Sequence, residues 1–101
     1  MDSLFQGESH LKARAHVFVS GIVQGVFFRQ QTHELASNSK VNGWVRNTYD
    51  DRVEAVFEGE MNDVQRLVEF CKKGPPYARV TKVEVTWEEF TDEFKDFRVR
   101  Y

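Results

Sequence analysis

The chain has 101 residues, 41% apolar and 30% charged, enough for one domain with a modest core and not a disordered composition. Its formal net charge of -2 leaves no excess of Lys and Arg to replace phosphate counterions, which argues against a dedicated nucleic-acid binder but not against one small anion held at one point. Cys71 is the only cysteine, which excludes an intramolecular disulfide and suits a reducing compartment, and no stretch approaches the ~20 apolar residues of a membrane span.

Residues 1–11 contain Leu4 and Phe5 but are otherwise mostly polar, and have no basic region followed by an apolar run. They are expected to form a flexible N-terminal arm ahead of one domain over 12–101. Residues 13–20 alternate, with Ala13, Ala15, Val17 and Val19 on one face and Arg14, His16, Phe18 and Ser20 on the other, which predicts a strand. Two glycines, Gly21 and Gly25, break the pattern. From Phe28 the period becomes helical, with Phe28, Thr32, Leu35 and Ala36 inside and Gln30, Gln31, His33 and Glu34 outside.

A second strand is expected over 43–47 and a third over 52–58, joined by the turn cluster 48–51 as a hairpin. Residues 61–73 return to helical spacing, with Val64, Leu67, Val68 and Cys71 as the apolar stripe, Asn62 as the expected N-cap and Gly74-Pro75-Pro76 as the stop. A fourth strand over 79–88 turns Val83, Val85 and Trp87 to one side, and a short last strand does the same with Phe97, Val99 and Tyr101. Strand, helix, strand, strand, helix, strand is the order of an α+β, ferredoxin-like split β-α-β sandwich, with two helices on one face of a mainly antiparallel sheet of four to five strands. That architecture hosts enzymes, RNA binders and ligand sensors alike.

The stretch Gly21-Ile22-Val23-Gln24-Gly25-Val26-Phe27-Phe28-Arg29 leaves a strand, turns through glycines and enters a helix. Backbone N–H groups at such a turn can point into one concavity with the positive end of the helix dipole behind them. Arg29, at the start of the helix, adds a planar guanidinium suited to paired hydrogen bonds with a phosphate. The same residues also fit an ordinary strand-to-helix turn with a solvated arginine. They form neither a Walker loop nor a dinucleotide fingerprint. Asn47 closes the second strand within Gly43-Trp44-Val45-Arg46-Asn47, where an amide offers both donor and acceptor but is also a common turn former.

Taken together, these two stretches resemble the acylphosphatase family. The match extends through Val53-Glu54-Ala55-Val56-Phe57-Glu58-Gly59, Gly74-Pro75-Pro76 with Ala78-Arg79-Val80, and the end of the chain from Phe97 to Tyr101. The resemblance implies a metal-independent hydrolase, without cofactor, that cleaves acyl phosphates to a carboxylate and inorganic phosphate. It assigns Arg29 to gripping the phosphate and the backbone of Gln24, Gly25, Val26, Phe27 and Phe28 to cradling its oxygens. It assigns Asn47 to positioning the attacking water. In some members a C-terminal carboxylate, here that of Tyr101, orients the site arginine. The partners implied are the acyl phosphate and inorganic phosphate as product and competitive inhibitor, with no nucleic acid and no membrane; a cytoplasmic monomer is expected.

Three positions depart from the family pattern: Lys40 where a helix-ending glycine is common, Asp51 in place of a hairpin glycine, and Tyr77 after the prolines. They bear on turn geometry more than on chemistry. His10, His16 and His33 lack metal-ligand spacing. Cys71 on an apolar stripe reads as a buried, inert thiol, and the acidic run from Glu88 to Glu93 reads as a solvated loop. Trp44, Phe27 and Phe28 read as core rather than as a base-stacking platform. Two rivals to the enzyme remain at this level, a small-molecule sensing module and an RNA-recognition type binder, the second opposed by the acidic balance. Acylphosphatase-like domains also occur within larger maturation enzymes, and a chain that ends soon after the fold is complete points instead to the stand-alone form.

Overall fold

The computed structural model describes residues 11–101. The arm expected over 1–11 therefore lies, except for Leu11, outside the described residues. The alternating first segment forms β1 (Lys12–Ile22), whose even partition of side chains puts Ala15, Val17 and Val19 in the core. It is followed by α1 (Phe28–Asn38), β2 (Asn42–Asn47), β3 (Val53–Glu60), α2 (Met61–Lys73), β4 (Arg79–Glu88) and β5 (Phe97–Arg100).

The five strands form one sheet in the order β4-β1-β3-β2-β5. β3 lies between β1 and β2, and β1 lies between β3 and β4, so each β-α-β crossover is split by a strand of the other. All pairings are antiparallel except β2 with β5, which places Val99 beside Val45 and Arg100 beside Arg46. This is the ferredoxin-like α+β fold expected from the order of elements, with β5 added at the edge.

Both helices cover the same face. Phe28, Thr32 and Ala36 of α1, and Val64, Leu67, Val68 and Cys71 of α2, are buried against Val17, Val19, Val45, Ala55 and Phe57 of the sheet. Burial pushes the Cys71 thiol up to about 12, so almost none of it is the nucleophilic thiolate.

α1 ends in a Schellman motif, with Val41 N–H donating to Ala36 O at 2.9 Å and Lys40 N–H to Ser37 O at 3.4 Å. Lys40 holds φ 58, the left-handed conformation that glycine would adopt more cheaply, and Asp51 in the hairpin holds φ 69. Each costs about 1 kcal/mol relative to glycine.

Two expectations are corrected here. α2 begins two residues earlier than an Asn62 cap allows: β3 runs through Glu60, which is the extended N-cap at ψ 144, and Met61 N–H is taken by Leu11 O at 2.9 Å. With no loop between strand and helix, Asn62 falls inside the first turn. Trp87 lies on the same side of β4 as Val83 and Val85, as the alternation predicts, and is 47% exposed. Of the three aromatics assigned to the core only Phe28 belongs there; Trp44 is half-buried on the open face of the sheet and Phe27 is exposed.

The acidic segment after β4 is exposed, as expected, and is also tied to the sheet. Buried Glu58 accepts from Thr91 N–H at 2.8 Å and Asp92 N–H at 3.1 Å, and Arg14 donates to Glu58, Glu88 and Glu93. A charge taken out of water needs such partners, and the loop supplies them.

The open face carries a second polar cluster. His16 lies between Glu54 and Glu88, with Nε2 2.6 Å from Glu54 and Nδ1 3.2 Å from Glu88, while Arg46 Nε donates to Glu54 at 2.7 Å. Burial pushes the Glu54 carboxyl up, but the hydrogen bonds with His16 and Arg46 outweigh it and hold the group below its ordinary value of 4.5. A carboxyl depressed by folding stabilises the native state above its ordinary value. That contribution is lost as pH falls through the depressed one. Melting Glu54→Gln beside wild type from about pH 5 to about pH 3 is expected to give the flatter acid limb for the variant. Part of the slope should remain, since Asp50, hydrogen-bonded by Arg52, and Glu93, hydrogen-bonded by Thr91 and Arg14, are shifted in the same direction.

Candidate active site

The loop after β1 turns on two residues with positive φ, Gly25 at 76 and Phe27 at 69. Space does not demand the glycine, because a Cβ at Gly25 would meet nothing within 4 Å; the backbone conformation does. Left-handed residues alternating along a turn bring successive N–H groups to one side, the geometry of an anion nest. The N–H groups of Gly25 and Val26 donate to no acceptor among the described residues.

Phe27 is the N-cap of α1 and offers no side-chain cap, and the first turn contains no acidic residue. The first backbone donors of the helix therefore remain open at its positive end. α2 is built in the opposite way, with Asp63 in its first turn and Lys72 and Lys73 in its last, so its dipole is compensated from within.

Arg29 lies in the first turn of α1, with its guanidinium carbon 4.9 Å from the centroid of the Tyr101 ring. Among the described residues the guanidinium has no hydrogen bond and no ion pair. The contact with Tyr101 is thus made by the ring, not by a carboxylate. Asn47 ends β2 on the helix-covered face, where Gly43 and Val45 precede it at alternate positions. A cleft of about 450 Å³ gathers Gly25, Phe27, Phe28, Arg29 and Asn47 with His33, Val99 and Tyr101. Residues 24–29 and Asn47, far apart in sequence, are brought to one end of the sheet by the β1-α1-β2 crossover.

Gln24 has a role that sequence reasoning missed. Its side-chain amide donates to Thr48 O at 2.9 Å and to Arg52 O at 2.8 Å. It fastens the loop to the hairpin that carries Asn47. No local pattern marks such a bond, since its acceptors lie on a turn 24 and 28 residues away. His33 could have been found: it is four residues after Arg29, on the same helical face, and this places it in the cleft rather than on the outer side. Gln24→Ala is expected to lower kcat roughly tenfold and stability by about 1 kcal/mol, with steady-state kinetics and urea unfolding as the checks.

The acylphosphatase family model matches residues 15–99. The chain belongs to the acylphosphatase family. It is 56% identical over 88 residues to an acylphosphatase of Pyrobaculum arsenaticum, an alignment covering 86% of this chain and 93% of that one. Among solved structures, the acylphosphatase from Bacillus subtilis superposes with a TM-score of 0.84 at 37% identity, covering 88% of this chain and 99% of that one. An acylphosphatase from Coxiella burnetii gives 0.83 at 38% identity, covering 94% and 99%. Membership supports a hydrolase of acyl phosphates. Among the described residues no three His, Cys, Asp or Glu side chains are grouped to hold a metal ion, and no helix is long and apolar enough to cross a membrane.

Proposed function

We propose that this protein hydrolyses the carboxyl-phosphate bond of acyl phosphates with its own residues alone, as a cytoplasmic monomer. The observation that carries this reading is the Arg29 guanidinium, unpaired among the described residues, beside the uncapped start of α1 and sharing one cleft with Asn47. The backbone N–H groups from Gln24 to Phe28 cradle the phosphoryl oxygens, and Arg29 completes the enclosure with paired charged hydrogen bonds. These donors are fixed by the fold before substrate arrives, so they need not reorganise as charge develops in the transition state.

The reaction asks little else of the protein. The leaving group is a carboxylate, stable as an anion, and needs no strong acid to expel it. Asn47 holds a water in line with the bond between phosphorus and the bridging oxygen; water oxygen bonds to phosphorus as that bond breaks. An amide is a poor base, so the water's proton passes to a phosphate oxygen. The products are a carboxylate and inorganic phosphate, the second a competitive inhibitor of the same cradle. This chemistry requires no metal, and it leaves His16 and Cys71 outside the mechanism.

Hydrolysis of benzoyl phosphate by the purified chain in excess EDTA tests the reading. Turnover that survives chelation is the expected result. Folded protein that binds phosphate and turns nothing over would make this a binding module instead.

A further inference from the structure

Phe27 occupies a backbone conformation that disfavours its own side chain. At φ 69 and ψ 20 it lies in the left-handed region, where a bulky aromatic residue is an outlier. Among the described residues, the other non-glycine positions with positive φ are Lys40, Asp51 and Asp92, all polar. Loop geometry explains the φ but not the ring, since glycine or asparagine would satisfy the turn with less strain. Nor does burial explain it, because Phe27 is 59% exposed. A strained, uncovered apolar ring at the mouth of a site points to a ligand as its missing neighbour.

The cleft has room for one. Its volume of about 450 Å³ falls in the range of small-molecule sites and exceeds what a lone phosphate fills. Away from Arg29 and Asn47, its apolar walls are Val23, Phe27, Phe28, Val99 and Tyr101, with Gly25 and the polar Gln30 and His33 beside them and no Asp, Glu or Lys. The ring of Tyr101 is fully exposed apart from its contact with Arg29, which offers a second aromatic surface next to the anchor. A negatively charged acyl tail would meet no Lys here and would compete with the phosphate for Arg29, and a two-carbon tail would leave most of the apolar lining uncovered.

We propose that Phe27 is a specificity-determining residue whose ring, with Val99 and Tyr101, forms an acyl subsite selecting uncharged aromatic or bulky aliphatic acyl phosphates over short ones. This rests on the reading that Arg29 and the preceding loop hold the phosphate. The ring acts on the acyl group alone, so its signature is a change in selectivity rather than a general loss of rate.

The test compares kcat/KM for benzoyl phosphate and acetyl phosphate in the full chain, in Phe27→Ala and in Phe27→Leu. Alanine keeps a Cβ and therefore the same backbone demand. The ratio of benzoyl to acetyl kcat/KM is expected to fall about tenfold in Phe27→Ala, the scale of one aromatic contact, and to recover partly in Phe27→Leu. Equal losses with both compounds, or an unchanged ratio, would overturn the inference while leaving the hydrolase standing. Wild-type protein that turns over neither compound would overturn both.

Discussion

Arg29→Ala is expected to weaken inhibition by inorganic phosphate and to lower kcat/KM for benzoyl phosphate by about a thousandfold, with little change in stability. The guanidinium supplies the only charged side chain assigned to the phosphoryl group, and two charged hydrogen bonds together carry energies of that order. Its loss should appear in both binding and turnover, since the same oxygens are held in the ground state and in the transition state. Stability should barely move, because among the described residues Arg29 pairs with no carboxylate and touches mainly an exposed ring. Arg29→Lys separates charge from geometry: a single rotatable ammonium keeps the positive charge but cannot form the planar fork, so most of the loss should persist. Phosphate inhibition unchanged in Arg29→Ala would remove the anchor from the mechanism.

Much of this arrangement was legible in the sequence, for a physical reason that varies along the chain. Period-2 and period-3.6 patterns report which face is dry, and both helices and the inner faces of β1 and β3 obey them because one core covers them all. The patterns fail at the margins of that core. Trp87 continues the inward alternation of β4 yet is 47% exposed, and Phe27 continues an apolar run into a turn that leaves its ring exposed. Charges were harder still to place. Glu58 and Glu54 alternate with apolar residues on β3 as solvent-facing side chains would, yet each is buried under partners from β1, from β2 or from the loop after β4. Pairing across a sheet is non-local, and a linear pattern cannot name the partner. The candidate site divides in the same way. Its backbone donors follow from a local strand-turn-helix grammar, whereas the fastening of that loop by Gln24 and the approach of Tyr101 to Arg29 depend on the completed topology.

Asn47→Ala is expected to separate binding from chemistry where Arg29→Ala joins them. Truncating the amide removes no group assigned to the phosphate, so phosphate inhibition should stay within a few-fold of wild type, while kcat falls by roughly two orders of magnitude, as when one preorganised donor is lost. The fold gives no reason for a larger structural effect. Asn47 pairs with Val53 through its backbone, and the hairpin is held by Thr48 N–H to Arg52 O at 2.9 Å and by the two bonds from Gln24, none of which uses the Asn47 side chain. Asn47→Asp sharpens the test. A carboxylate has nearly the same shape and could accept the water's proton, but it places a negative charge beside an incoming dianion. If general-base strength were limiting, Asn47→Asp would be at least as fast as wild type. If holding a water in line beside a crowded anion is the requirement, it should be slower than Asn47→Ala and should bind phosphate less well. The second ordering is expected, because the cradle, the helix terminus and Arg29 are all arranged to accumulate positive potential that an added carboxylate would cancel.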